Sequence, residues 1–137
     1  MLRTAPRKGL RKRMADRPGQ AIVEFALASL VFLMMVFGTI DFGRAIFMSA
    51  EIHNAARDAA RYGKINPSQT AQIRTVAVDK AVGTGLTTGG VTVSCTGACK
   101  TGDTLTVTTQ IQFQAVTQQL LGIGPITLNS SSTVDIE

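Results

Sequence analysis

A cluster of basic residues ends at Gly19, and a long apolar segment begins directly after it. Residues 1–19 contain seven basic side chains and one acidic side chain, whereas residues 25–40 contain no charge at all. One carboxylate, Glu24, interrupts the start of the apolar segment, five residues after Gly19. An ionised side chain at the centre of a bilayer costs about 2.5–3.5 kcal/mol or more, so an apolar helix should exclude it. The junction at Gly19 between the basic cluster and the apolar segment suggests a processing site.

The apolar segment is long enough to cross a membrane. Residues 21–40, at about 1.5 Å per residue, give roughly the 30 Å thickness of the hydrocarbon layer. A secretory signal instead has an apolar core of about 7–15 residues and a cleavage site of small residues, which residues 41–46 lack. Because positive charge precedes the segment, residues 1–19 are predicted to be cytoplasmic and residues 41–137 to lie outside the inner membrane, in a bacterial periplasm.

The net charge of the chain comes from its N-terminal segment. The whole chain has a formal charge of +5, but residues 20–137 have seven basic and eight acidic side chains, a net of −1. Basic residues before a membrane segment set its orientation. No aromatic stacking residues accompany them, so the sequence predicts no nucleic-acid partner.

The helical pattern continues beyond the apolar segment. Small and apolar side chains recur at steps of three or four residues, as expected for one face of a helix. Gly63 is predicted to end this helix, reinforced by Pro67. The sequence therefore predicts a helix of about forty residues over 20–63, with its membrane-spanning part at 21–40. The predicted stripe consists of Phe42, Ala45, Ser49, Ile52, Ala56 and Ala59.

Residues 64–137 are predicted to form one small extracytoplasmic domain. A second, short helix is expected from about Ala71 to Val82, capped by Ser68 or Thr70. The Gly- and Thr-rich residues 83–90 lack the lysine and spacing of a phosphate-binding loop and are interpreted as a connector.

The remainder of this domain changes to the alternating pattern of β-strands. Val91 to Cys95 and Leu105 to Phe113 alternate apolar and polar side chains, and the turn-rich residues 96–103 could join them as a hairpin. Residues 115–121 are ambiguous, with a short helix as one interpretation, and a last strand is expected between Ile126 and Ile136. The predicted fold class is α+β, with the long helix packed on a small antiparallel sheet.

The chain contains two cysteines, Cys95 and Cys99, in the predicted hairpin loop. A disulfide is favoured over free thiols, because the domain is predicted to face an oxidising compartment. A zinc site needs about four ligands, and the single histidine, His53, is distant in sequence. The sequence contains no nucleophile-elbow motif that would require a catalytic histidine, so His53 is interpreted as a solvated or packing residue. No catalytic, cofactor or metal site is predicted, and an anchored enzyme has no support.

Two arginines, Arg57 and Arg61, lie one helical turn apart. They could form a cationic ridge for a partner, or a solvated face together with Asp58. Two i,i+3 ion pairs are also predicted along this helix, Asp41–Arg44 and Asp58–Arg61.

Several motifs together resemble a known family. The segment from Gly19 to Glu24 resembles the class III signal of type IV pilins and pseudopilins, which a membrane peptidase cuts after the glycine. Val23-Glu24-Phe25-Ala26-Leu27, Asp41-Phe42-Gly43-Arg44-Ala45 and the alanine- and arginine-rich stretch from Asn54 to Tyr62 are similar to motifs of the TadE/TadG pseudopilins. The resemblance covers roughly Gly19 to Gly63.

The resemblance implies a pilin-like fold and a structural role in the tight adherence (Flp) pilus machine. Prepilin peptidase would cut after Gly19, and Glu24 would pair with the N-terminal ammonium of Gln20 on a neighbouring subunit. Glu24 and Phe25 are the residues expected to serve assembly and recognition.

The implied partners are prepilin peptidase, other pilins or pseudopilins, the inner-membrane assembly platform and the lipid bilayer. The protein would reside in the inner membrane or, within a pilus, outside the cell. The alternative is a membrane-anchored periplasmic interaction protein that has the same helix but never enters a filament.

Overall fold

The computed structural model describes residues 18–137, and its first element is a long helix, α1, from Pro18 to Ile65. Most of the predicted leader lies outside the described residues. The chain divides into two compact units between Leu33 and Met34. In the first unit the described residues are all part of α1, and the second unit contains the rest of α1 and every other element.

The end of α1 differs from the prediction at Gly63. The helix continues two residues further, to Ile65, and Pro67 follows just beyond it. Gly63 is buried inside the helix, and a Cβ atom built there would lie 2.9 Å from a Leu105 methyl group and 3.0 Å from an Ile73 methyl group. The prediction that Gly63 stops the helix was wrong, because the glycine serves close packing instead of a left-handed turn.

The second helix, α2, extends from Thr70 to Lys80. Its N-cap residue is Gln69 and makes no side-chain capping bond, so the predicted cap at Ser68 or Thr70 is not formed. Ile73 and Ala77 are buried as the helical pattern requires. Val82, predicted to share that stripe, is exposed beyond the end of the helix.

The connector after α2 bends at two glycines and leads into the sheet. Gly83 and Gly85 both adopt positive φ, at 75° and 72°, which glycine alone adopts at little cost. A single 3₁₀ turn at Thr88–Gly90 then precedes the first strand.

Three antiparallel strands form the sheet, in the order β1-β2-β3. The strands are β1 at Val91–Cys95, β2 at Thr104–Phe113 and β3 at Ile126–Asp135. The register pairs Val93 with Val107, and Val107 in turn with Ser132. A short helix, α3 at Val116–Leu121, joins β2 to β3. The predicted α+β class is confirmed, including the hairpin between the first two strands and the short helix at the ambiguous segment.

The hydrophobic core lies where α1, α2 and one face of the sheet meet. From α1 it receives Ile52 and a group of alanines, and from β2 it receives Leu105, Val107 and Ile111. The predicted helix stripe was wrong at Phe42, which is 68% exposed, and at Ser49, which is also exposed. The buried face is instead broader and made of small residues: Ala55, Ala56, Ala59, Ala60 and Gly63.

Candidate functional site

The predicted processing and assembly residues lie together near the start of α1. Gly19, Gln20, Glu24 and Phe25 are all helical and all exposed. No atom lies within 4 Å of the position that a Cβ at Gly19 would take. Among residues 18–137, Glu24 has no ion-pair partner. The structure therefore places these residues in one accessible segment but encloses none of them in a pocket.

Large apolar side chains are exposed along α1 from Ile22 to Phe47. The helix is long and apolar enough to cross a membrane, and none of its most apolar stretch is buried inside the protein. A core helix of a globular domain would bury such a stretch. The exposed apolar surface fits membrane anchoring, and it continues past the predicted boundary at residue 40 through Phe42 and Ile46.

The carboxylate of Asp41 joins α1 to α3. Its Oδ1 atom accepts the backbone N–H of Val116 at 3.1 Å, and its Oδ2 atom accepts the backbone N–H of Thr117 at 2.9 Å and the Thr117 hydroxyl at 2.8 Å. Helix N-termini leave such N–H groups without partners inside the helix. Asp41 thus caps a helix from another part of the chain.

The sequence before α3 explains why this cap comes from elsewhere. Its N-cap residue is Ala115, which has no side-chain acceptor. The side-chain oxygen of Gln118 accepts the N–H of Ala115 at 3.0 Å, and Asp41 satisfies the next two N–H groups. Sequence reasoning missed this role of Asp41. The sequence signal that could have revealed it was a short helix whose N-cap residue, Ala115, has no side-chain acceptor.

The environment of Asp41 favours its charged form. Asp41 is 4% exposed and lies just outside residues 21–40. The backbone N–H of Thr117 lowers the pKa of Asp41 most, and burial opposes this effect; the Val116 N–H, the Thr117 hydroxyl and Arg44 lower the pKa further. Arg44 lies 3.4 Å from the carboxylate, and its guanidinium stacks over the ring of Phe113 at 5.6 Å. The predicted ion pair Asp41–Arg44 is present.

The middle of α1 faces the edge strand β3. His53 is exposed and shares a hydrogen bond of 2.9 Å with the hydroxyl of Ser130, which links the two elements. Further along, Arg57 and Arg61 line an open groove of about 760 Å³ between α1 and β3. The predicted ion pair between Asp58 and Arg61 is not among the ion pairs of residues 18–137.

The two cysteines are bonded to each other in the hairpin loop between β1 and β2. The Cys95–Cys99 bond has an S–S distance of 2.03 Å and a Cα–Cα distance of 5.5 Å. Asp103 accepts the backbone N–H of Lys100 at 3.0 Å and orders the same loop. Within residues 18–137 no three His, Cys, Asp or Glu side chains lie together as a metal site would require.

The model of the TadE-like protein family matches residues 19–61. No curated protein and no solved structure matches the chain. The match begins at the glycine where the predicted processing site lies and ends within the alanine-rich part of α1. The resemblance predicted from the sequence is therefore confirmed over this segment: from residue 19 to residue 61 the chain is similar to TadE-like proteins.

Proposed function

We propose that the chain is a structural, non-enzymatic pseudopilin of the tight adherence (Flp) pilus machine, acting in pilus assembly or initiation. The TadE-like match over residues 19–61 is the observation that carries this proposal. It covers the helix that could cross a membrane and every residue predicted to serve processing or assembly. The sheet and the last two helices lie outside the match.

The first step of the proposed function is cleavage after Gly19 by prepilin peptidase. The basic residues before Gly19 keep this end of the chain in the cytoplasm. A glycine has no side chain to obstruct a protease that binds extended backbone. Cleavage removes the basic leader and creates an ammonium group at Gln20, four residues before the exposed carboxylate of Glu24.

The second step is association through the N-terminal part of α1. The Glu24 carboxylate of one subunit pairs with the Gln20 ammonium of a neighbour, while the surrounding large apolar side chains pack between helices. In a low-dielectric environment such an ion pair fixes the register of two helices more than it adds stability. Exposure of both Glu24 and Phe25 supports this role, because each is accessible to another subunit.

A substitution at Gly19 tests the processing step. Gly19→Val should leave a precursor that is heavier by the leader, because the side chain blocks the backbone from entering the protease site. Gly38→Val is the matched control, since a Cβ atom at either glycine meets no atom within 4 Å and neither change should disturb packing. N-terminal mass spectrometry measures the outcome. Mature Gly19→Val protein of normal mass would exclude the processing site.

A substitution at Glu24 tests association separately from processing. Glu24→Gln keeps size and polarity but removes the charge, so cleavage should largely continue while co-purification with the partner pilin is lost. Glu51→Gln, on the same helix, is the control that should co-purify normally. A fully processed Glu24→Gln protein that still co-purifies with its partner contradicts the pairing.

The alternative role is a membrane-anchored interaction protein that stays outside the filament. The cationic groove between α1 and β3 favours it, because Arg57 and Arg61 are exposed there to an incoming acidic segment. Mechanical shearing of cells separates the two roles. A pseudopilin that is incorporated is recovered in the sheared fibre fraction, whereas an anchored interaction protein remains with the membranes.

A further inference from the structure

A second apolar surface lies outside α1. It comprises side chains of α3, of the loop after it and of the first residue of β3, and we name it the α3 patch. Each side chain is about half exposed or more, with Leu120 at 65%. Single exposed apolar residues are ordinary, but a contiguous exposed group marks an interaction surface. The α3 patch consists of Val116, Leu120, Leu121, Ile123 and Ile126.

The position of the α3 patch is fixed by α1. Asp41 directly follows the apolar segment 21–40, and its carboxylate holds the first turn of α3. One turn earlier on α1, Phe37 lines a groove of about 360 Å³ together with Val116 and Leu120. The α3 patch is therefore continuous with apolar surface that belongs to the membrane segment itself.

The distribution of charged residues along the chain also favours an apolar environment for the α3 patch. Residues 104–134 contain no charged side chain, although they include β2, α3 and most of β3. The charged residues that flank residues 104–134 lie at the other end of the sheet, where the backbone N–H of Glu137 bonds to the Lys64 carbonyl. At the end of the domain that carries the α3 patch, β2, α3 and β3 therefore contribute no charged side chain, and the two charged residues that α1 places there, Asp41 and Arg44, form an ion pair with each other.

Several backbone N–H groups of the α3 patch and its flanking residues have hydrogen-bond acceptors within the protein, which favours an apolar environment. Unpaired backbone groups are costly away from water, so a segment that enters the interface is favoured when its N–H groups have partners within the protein. Asp41 accepts two of them, Gln118 accepts that of Ala115, and the N–H of Ile123 bonds to the Gln118 carbonyl at 2.9 Å. The turn after α3 contains Gly122 and Pro125.

We propose that the α3 patch inserts into the lipid interface beside the membrane segment. Apolar faces of interfacial helices enter about 5–10 Å into the boundary between headgroups and acyl chains. The patch then acts as a second membrane contact that fixes the orientation of the sheet relative to the bilayer. This proposal rests on membrane anchoring by residues 21–40, which is part of the proposed function.

Tryptophan fluorescence tests the insertion directly, because the chain contains no tryptophan. Leu120→Trp, made in the full chain, is reconstituted into phosphatidylcholine vesicles with and without bromine near the carboxyl end of the acyl chains. Thr101→Trp is the matched control, since Thr101 is exposed in the hairpin loop at the charged end of the sheet. We expect emission from Leu120→Trp to shift to shorter wavelength and to be quenched by brominated lipid several-fold more than emission from Thr101→Trp.

Three other outcomes overturn the proposal. Quenching of Leu120→Trp that is as weak as that of Thr101→Trp, with no shift to shorter wavelength, places the patch in water. A shift to shorter wavelength without quenching places it against a second copy of the chain. Vesicle flotation is measured on the same samples, and a chain that does not float with the vesicles contradicts the anchoring as well as the insertion. Leu121→Trp, also on the exposed side of α3, repeats the measurement at a second position and should give the same result.

Discussion

The two halves of α1 use apolar residues in opposite ways. Before residue 41 the helix carries large side chains, such as Phe32 and Met35, and they are exposed. After residue 51 the helix buries Ile52 and a face of small side chains, such as Ala56 and Ala59, against the rest of the domain, whereas Phe42 and Ile46 still belong to the exposed apolar surface. Side-chain size, more than hydrophobicity, therefore distinguishes the half that supports the fold from the half that is available to lipid or to another subunit.

Small residues allow the second half to approach its neighbours closely. An alanine face brings the helix backbone near the sheet, and at Gly63 even one methyl group would crowd Leu105 and Ile73. Close-packed interiors respond to changes of a single methylene group. The stability of residues 34–137 should therefore depend strongly on the second half of α1 and little on the first.

The largest expected difference between the two halves comes from truncating one apolar side chain in each. Ile52→Ala should lower the free energy of unfolding by about 2–5 kcal/mol, because Ile52 is fully buried in the core. Phe32→Ala should leave it nearly unchanged, because Phe32 is 65% exposed. Denaturant unfolding in detergent measures both. Comparable destabilisation by the two variants contradicts the division of α1.

A smaller difference is expected from enlarging one buried and one exposed glycine of α1. Gly63→Leu should lower the free energy of unfolding by about 1–3 kcal/mol, because the site has no room for a side chain. Gly43→Leu, at an exposed position with no atom within 4 Å of a Cβ, should raise it by up to about 1 kcal/mol through helix propensity. The same denaturant measurement decides the sign, and a stabilising Gly63→Leu would show that the close packing there is not limiting.

The sequence predicted the parts of the fold that depend on local periodicity. The change from a helical to an alternating pattern identified β1 and β2, and the length of the uncharged segment identified a helix that could cross a membrane. The motifs around Glu24 and Arg61 identified the family resemblance that the comparison confirms over residues 19–61. Each of these signals lies within a few turns of one element.

The features that were missed depend on contacts between distant residues. Gly63 looks like a helix stop in sequence, and only the approach of Leu105 and Ile73 shows why a glycine is required inside the helix. At the start of the predicted stripe it is Asp41 that is buried and bonded to α3, whereas the next residue, Phe42, is exposed. Tertiary packing decides which of these residues are buried, and helical spacing in the sequence does not predict it.

The smallest expected effect concerns the point where the two halves of α1 meet. Asp41→Asn keeps the size of the side chain and one acceptor oxygen but removes the charge that strengthens hydrogen bonds to N–H groups. The core should remain folded, while the amides of Val116 and Thr117 exchange with deuterium faster. Asp58→Asn, at an exposed position on the same helix, is the control that should leave both amides unchanged.

The protonation of Asp41 gives a second way to observe the same contact. Hydrogen bonds from Thr117 and Val116 lower the pKa of Asp41 below its ordinary value of 3.8. The stabilisation is therefore complete above that ordinary value and is lost as the pH falls through the lowered pKa. An NMR titration of the Val116 and Thr117 amide shifts should show a transition below pH 3.8 in the native chain and none in Asp41→Asn. A transition that persists in Asp41→Asn would mean that another carboxyl group controls these amides, and the hydrogen bonds to Asp41 would then not be the cause of the pH dependence at the start of α3.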